Sequence, residues 1–204
     1  MTALHNNLKP AGLTAQNFVY ERIDGLPIYY NNYKNAIKNH QNPDSIMGAS
    51  LFQIFLIKII SKFLDTTLNP KEFIILNGEL GLHISKNQNF SADITIYNRK
   101  LIQSALTQTT YTTIPPKIVI EIDTKADFGN IHPNNYFYKK NKQLLEFGVE
   151  KVIWVFTNSR QIQIAVANED WILRDWSRNV EVMDGISFNL DALLADEDVV
   201  WTLE

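Results

Sequence analysis

Hydrophobic and polar positions along the chain change period several times, and each change marks an element. Phe18-Val19-Tyr20-Glu21-Arg22-Ile23 and Leu26-Pro27-Ile28-Tyr29-Tyr30 flank Asp24-Gly25, a dipeptide that favours the tight turn of a hairpin. Pro27 has no backbone donor, which places the second strand at an edge. Asn31 to Asn39 can form a short helix before His40-Gln41-Asn42-Pro43 interrupts it. From Ile46 to about Leu64, with Asp44 or Ser45 as cap, Ile46, Ala49, Gln53, Leu56, Ile57, Ile60 and Leu64 fall on or near one helical stripe. Leu51, Phe52, Ile54 and Phe55 add apolar surface off that stripe, so this helix is expected to pack on more than one side.

At Glu72 the period becomes strand-like. Residues 73–84 and 90–97, separated by the polar turn 85–89, predict an antiparallel pair, and the Thr- and Gln-rich stretch 99–114 reads as a connecting loop. Pro115-Pro116 then open the run Lys117-Ile118-Val119-Ile120-Glu121-Ile122-Asp123, whose β-branched residues suit a buried strand. A helix is expected from His132-Pro133 to Phe147, stopped by Gly148, and strands at 152–156, 161–166, 171–176 and 186–190 lead to a short helix at 191–194. Strand, helix, strand across 118–156 is a βαβ-like unit. The pattern as a whole predicts an α/β (α+β) domain with a mixed sheet, flanking helices and an antiparallel β extension.

A chain of 204 residues suits one domain, here 17–204 preceded by a loosely held lead-in at 1–16. No apolar run approaches the roughly 20 residues of a membrane span. Zero cysteines exclude thiolate chemistry and disulfides, and the N-terminus lacks the pattern of a signal peptide, so a cytoplasmic protein is expected. A net charge of -3 argues against coating nucleic acid by charge alone, though not against a local basic patch.

The candidate chemistry lies on the predicted strands and on the helix that follows them. Asp93 stands alone among Ala92, Ile94 and Ile96, and Glu121 is the charge in mid-strand of an apolar run, with Asp123 assigned by alternation to its face. A buried carboxylate needs a cation, a metal or several hydrogen bonds beside it. On the helix, Tyr136, Lys140, Leu144 and Phe147 share one face, which directs the Lys140 amine toward the sheet, while Lys139 and Lys142 lie off it. Two carboxylates and a cation suggest a Mg²⁺ (or Mn²⁺) site, since Mg²⁺ needs only one or two protein carboxylates when a phosphate supplies other ligands. The alternative is that turn amides or basic side chains satisfy the two acids and that Lys140 snorkels past the helix edge.

The ordered pattern Ala92-Asp93, Pro115-Pro116-Lys117-Ile118-Val119-Ile120-Glu121-Ile122, Lys140 ahead of Gly148-Val149, Val152-Ile153-Trp154-Val155 and Asp184-Gly185-Ile186-Ser187-Phe188-Asn189-Leu190 resembles the Uma-type restriction endonuclease family, formerly a domain of unknown function, within the PD-(D/E)XK nuclease superfamily. The resemblance runs from Tyr20-Glu21-Arg22-Ile23-Asp24-Gly25 to the C-terminal helix. It implies a restriction-endonuclease-like core, hydrolysis of DNA phosphodiesters, and a Mg²⁺ or Mn²⁺ ion held by Asp93 and Glu121 with Lys140 assisting. Four positions depart from the pattern: Ala92 replaces a proline, Asp123 stands where the superfamily's strand lysine would be, Thr124 replaces a serine, and Leu144 replaces a tyrosine. Asp123 is either a further ligand or the mark of a degraded site, so a catalytically inactive nuclease-fold module serving in binding or assembly is the rival function. Further candidate site residues are Asp123, Glu79, which shares a face with Asn77 and His83, and Glu21, otherwise an exposed hairpin acid. Twofold pairing on a duplex makes a homodimer an expectation as well.

Overall fold

The computed structural model describes residues 12–124, 126–129 and 132–199. Most of the expected lead-in, with His5, lies outside those residues; Ala15–Phe18 forms one turn of 3₁₀ helix that buries Phe18. Val19–Ile23 (β1) and Leu26–Tyr29 (β2) pair as the expected hairpin, with Asp24 and Gly25 both left-handed at φ 53° and 75°. Tyr33–Lys38 (α1) follows.

The long helix starts later than its periodicity implies. Asp44–Met47 (α2) is a single turn, Gly48 is extended at φ -64° and ψ 146°, and Leu51–Thr67 (α3) begins afresh. Ser50 decides the start, because its Oγ accepts the Gln53 N–H at 3.1 Å and satisfies one donor of the first turn. Neither Asp44 nor Ser45 caps the long helix.

Phe73–Ser85 (β3) and Gln88–Asn98 (β4) form a longer hairpin than expected, joined by Lys86-Asn87 alone. Their register breaks once in the middle: Asn77 pairs with Ile94 and Leu80 with Ala92, so Gly78 and Glu79 together oppose Asp93. Gly78 at φ 100° and Glu79 at φ 61° make this a bulge. The stretch 99–114 is more than a loop. Arg99–Ile102 (α4) opens it, and Thr112 bridges to the outer edge of β3, giving its C=O to the His83 N–H at 2.8 Å and its N–H to the Gly81 C=O at 3.1 Å.

Ile118–Ile122 (β5), Pro133–Phe147 (α5) and Lys151–Phe156 (β6) form the βαβ unit, with β5 and β6 parallel. His132 caps α5, its Nδ1 accepting the Asn134 N–H at 3.3 Å, and Gly148 ends it at φ 115°, as the sequence indicates. Gln161–Val166 (β7) and Ile172–Asp175 (β8) complete a six-stranded mixed sheet of order β3-β4-β5-β6-β7-β8. Val180–Met183 (β9), which was not expected, pairs with Ile186–Phe188 (β10), and Leu190–Ala195 (α6) follows. β10 falls within the expected strand 186–190, whereas β9 is shorter than a periodicity argument resolves, and packing of Val180 and Val182 against the core fixes it.

The sheet divides two apolar layers. Ile94, Ile96, Ile118, Ile120 and Ile122 face α3, α6 and the β9-β10 hairpin. Val119, Val152 and Trp154 face α5 and the β1-β2 hairpin, packing on Tyr136, Leu144 and Ile23. No helix among the described residues is long and apolar enough to cross a membrane.

Replacing Ser50 by Ala removes the cap that sets the start of α3. The expected outcome is a loss of about 1 kcal/mol in denaturant unfolding with an unchanged m-value.

Candidate active site

Asp93 owes its position to the way β4 and β5 part. Their ladder runs through Ile96↔Ile118, Thr95↔Val119 and Ile94↔Ile120. Beyond that pair the strands separate, and the Ile122 N–H, which would otherwise continue the ladder, is taken by Asp93 Oδ2 at 2.8 Å. On the other side Gln53 of α3 donates its amide to both carboxylate oxygens at 3.3 Å. Burial raises the Asp93 carboxyl above its ordinary range, opposed by the Ile122 N–H, the Lys140 charge and the Gln53 amide. Gln53 lay on the predicted apolar stripe, and the signal for its role was there: one polar residue on a face that should be dry.

Glu121 projects from β5 toward α5, beside Trp154 of β6. Lys140 comes down from α5 to meet it, entirely buried, with Nζ 3.1 Å from Glu121 Oε1 and 3.2 Å from Glu21 Oε2. The ammonium also approaches the Ser91 C=O at 3.4 Å and lies 5.4 Å from the ring centres of Phe90 and Trp154. Lys140 therefore does not snorkel to solvent. Glu21, expected as an exposed hairpin acid, is buried, and the Tyr136 hydroxyl donates to its Oε1 at 2.5 Å.

The charges of this cluster are unequal. Burial pushes the Glu121 carboxyl up to about 8, against the pull of Lys140 and with further push from Asp93 and Glu21. Burial alone would lower the Lys140 amine, but Glu121 and Glu21 outweigh it and keep the amine protonated well above its ordinary range. One ammonium faces the Glu21 and Glu121 carboxyls with Asp93 close by, and because the Glu121 carboxyl is raised to about 8, a cation arriving there displaces a proton. Glu21 Oε2 and Glu121 Oε1 have no hydrogen-bond donor other than that ammonium among the described residues.

Asp93 reaches a cleft of about 820 Å³ between α3 and the β3 bulge, bordered by Met47, Ile54, Ile57, Lys58, Lys62 and Glu79. Lys58 and Lys62, one turn apart on α3, thus flank this cleft, and Lys62 also holds Glu197 at 2.8 Å. Glu21 borders a second cleft of about 600 Å³ on the hairpin side, with Tyr20, Ser91 and Tyr111. The cluster lies between the two.

Asp123 stands outside the cluster, contrary to the alternation that assigned it to the face of Glu121. β5 ends at Ile122, Asp123 turns left-handed at φ 52°, and its carboxylate accepts the Thr157 N–H at 2.8 Å and hydroxyl at 2.6 Å. The bulge likewise breaks the face that Asn77, Glu79 and His83 were expected to share. Asn77 donates to Ser61 Oγ at 3.0 Å, His83 Nδ1 lies 2.6 Å from Asn89 Oδ1, and Glu79 is exposed at the cleft edge, near enough for its charge to help raise the Asp93 carboxyl. The structure brings Asp93, Glu121, Lys140 and Glu21 together. Tyr136 joins them unforeseen, although it shares the helical stripe of Lys140.

No protein-family model matches the chain, and no curated protein does. Among solved structures it resembles the crystal structure of a putative nuclease belonging to DUF820 from Anabaena variabilis, with a TM-score of 0.63 and 12% sequence identity over 86% of this chain and 89% of that one. At that identity the likeness establishes the fold: a mixed α+β arrangement of the nuclease-like type.

The Glu121 carboxyl binds its proton more tightly in the folded chain than in the unfolded one, so stability falls as pH rises from about 4.5 toward 8. Glu121→Gln is expected to remove from that interval a slope of up to about 1.4 kcal/mol per pH unit, read by denaturant unfolding at a series of pH values. Lys140→Met leaves two buried carboxylates facing each other without their ammonium, and an unfolding free energy lower by about 3–5 kcal/mol at neutral pH is expected.

Proposed function

We propose that this chain is a divalent-metal-dependent endonuclease that hydrolyses DNA phosphodiester bonds, with Asp93 and Glu121 as metal ligands and Lys140 as the assisting cation. The observation that carries the reading is the convergence of these three side chains from β4, β5 and α5, at the point where β4 and β5 part beside an open cleft. The nuclease-like fold is consistent with it.

The residues suit Mg²⁺ or Mn²⁺. Both candidate ligands are carboxylates, the donor type that hard cations prefer, and Glu121 Oε1 is buried with only an ammonium beside it. Among the described residues no group of three or more His, Cys, Asp or Glu is placed to hold a metal. A two-carboxylate site, completed by water and by a substrate phosphate, is the form that fits. When bound, the ion would acidify a water and counter the charge that builds at phosphorus.

The chain's own groups contribute the rest. Gln53 and the Ile122 N–H fix the orientation of Asp93, so its carboxylate need not reorganise. Lys140, held protonated, supplies fixed positive charge beside the Glu121 carboxyl. Lys58, on the wall of the cleft, offers a mobile cation for a neighbouring phosphate.

Calorimetric titration with Mn²⁺ and cleavage of supercoiled plasmid in Mg²⁺ test this reading. The wild type should bind metal and nick the plasmid, and Asp93→Asn and Glu121→Gln should each lower the cleavage rate by about 100-fold or more. Absence of Mg²⁺ and Mn²⁺ binding by the wild type would favour the inactive nuclease-fold module instead.

A further inference from the structure

The β1-β2 hairpin is fastened to one face of α5 at two levels. At its turn, Asp24 accepts from Lys139 Nζ at 2.6 Å and from the Gln143 amide at 2.7 Å. Deeper in, Glu21 accepts from the Tyr136 hydroxyl at 2.5 Å through Oε1 and faces Lys140 Nζ at 3.2 Å through Oε2. Residues 136, 139, 140 and 143 are neighbours at three- and four-residue spacing, so the hairpin lies along the turns of α5 that bracket Lys140.

We propose that Glu21 and Tyr136 form a clamp that positions the Lys140 ammonium, and that Glu21 is a positioning residue rather than a metal ligand. The inference rests on the reading of Lys140 as the assisting cation of a phosphodiester-cleaving site. Both Glu21 oxygens already have partners on α5, whereas Asp93 accepts from Gln53 of α3 and borders the cleft on the α3 side. The Lys140 ammonium, which shares the Glu121 carboxylate, would be repelled by a divalent ion held there. A lysine stem has four rotatable carbons, so an ammonium held by Glu121 alone would swing away from the incoming charge. Glu21 gives it a second anionic partner, on the hairpin. The Tyr136 hydroxyl fixes the Glu21 carboxylate so that Oε2 stays turned to the amine. Phe90 and Trp154 close the remaining sides with ring faces, which tolerate an ammonium and exclude water.

The full chain carrying Glu21→Gln or Tyr136→Phe tests the clamp. In nitrogen-15 spectra of the metal-free protein, the Lys140 ammonium signal, assigned by its absence from Lys140→Met, should shift or broaden in Glu21→Gln and change less in Tyr136→Phe. In Mg²⁺, Glu21→Gln should lower kcat by about tenfold while KM for DNA stays within about threefold. Mn²⁺ affinity should remain within about threefold of the wild type, whereas Glu121→Gln loses binding. An ammonium signal unmoved by Glu21→Gln overturns the clamp, and so does a loss of Mn²⁺ binding as deep as that of Glu121→Gln. Should Glu21→Gln not fold, Tyr136→Phe, which removes only a hydroxyl, carries the same spectral test. A wild type that cuts no DNA would sink the nuclease reading, while the spectra would still decide the clamp.

Discussion

The fold is arranged around a buried ammonium. Lys140 lies within ion-pair distance of Glu121 on the sheet and Glu21 on the hairpin, so the contact joins helix, sheet and hairpin at one atom. An ammonium withdrawn from water is costly, and only well-placed opposite charges offset that cost. This constraint reaches outward. It requires the β1-β2 hairpin to stay against α5, which Asp24 secures through Lys139 and Gln143, and it requires α5 to keep its register on the sheet. That register is held in turn by Trp154, whose indole N–H donates to Asn141 Oδ1 at 2.7 Å while the Asn141 amide donates to Gln163 Oε1 at 3.0 Å. Buried amides with fixed partners tolerate less sliding than apolar contacts do, because a shift leaves donors unsatisfied.

The second constraint is the parting of β4 and β5. A continuous antiparallel ladder would have bonded the Ile122 N–H to β4 backbone and closed the sheet where Asp93 now sits. The two-for-one bulge at Gly78 and Glu79 turns β3 and β4 at that level, and Asp93 replaces the missing backbone acceptor with a side-chain carboxylate. One residue therefore both completes the ladder and presents charge to the cleft. The glycine in the bulge matters here, since φ 100° at Gly78 is a conformation that side chains resist.

Much of this was legible in the sequence, and the physical reasons differ from residue to residue. Alternation and helical spacing placed Glu121 and Lys140 on their elements and faces, because a charge in an apolar run is informative wherever the run is regular. Asp93 was placed on its strand but turns to the α3 side that Ile94 and Ile96 face. His132 and Gly148 bounded α5 correctly because caps are local chemistry. Regularity failed at three places, and each failure moved an expectation. Asp123 left the strand by a positive φ, the bulge scrambled the face of Asn77, Glu79 and His83, and Ser50 outweighed the apolar stripe that ran on through Gly48. The burial of Glu21 was illegible for another reason. A two-stranded hairpin has one face as a matter of local pattern, and what covers that face depends on α5, more than a hundred residues away in the chain.

Asp123 shows how local backbone geometry decides what a carboxylate does. Taken as a substituted lysine, it would place a third negative charge on the face of Glu121 and raise the charge imbalance there. Its left-handed backbone instead aims the carboxylate at Thr157, where two donors at 2.6–2.8 Å satisfy it and join the end of β5 to the turn after β6. The cation beside Glu121 comes from α5, and a helix-borne amine reaches Glu121 from above the sheet. With the cation on the helix, the residue after β5 is left to a structural acid. A helix-borne cation depends on whatever else holds α5 and its amine in place, which is why the hairpin belongs to the cluster.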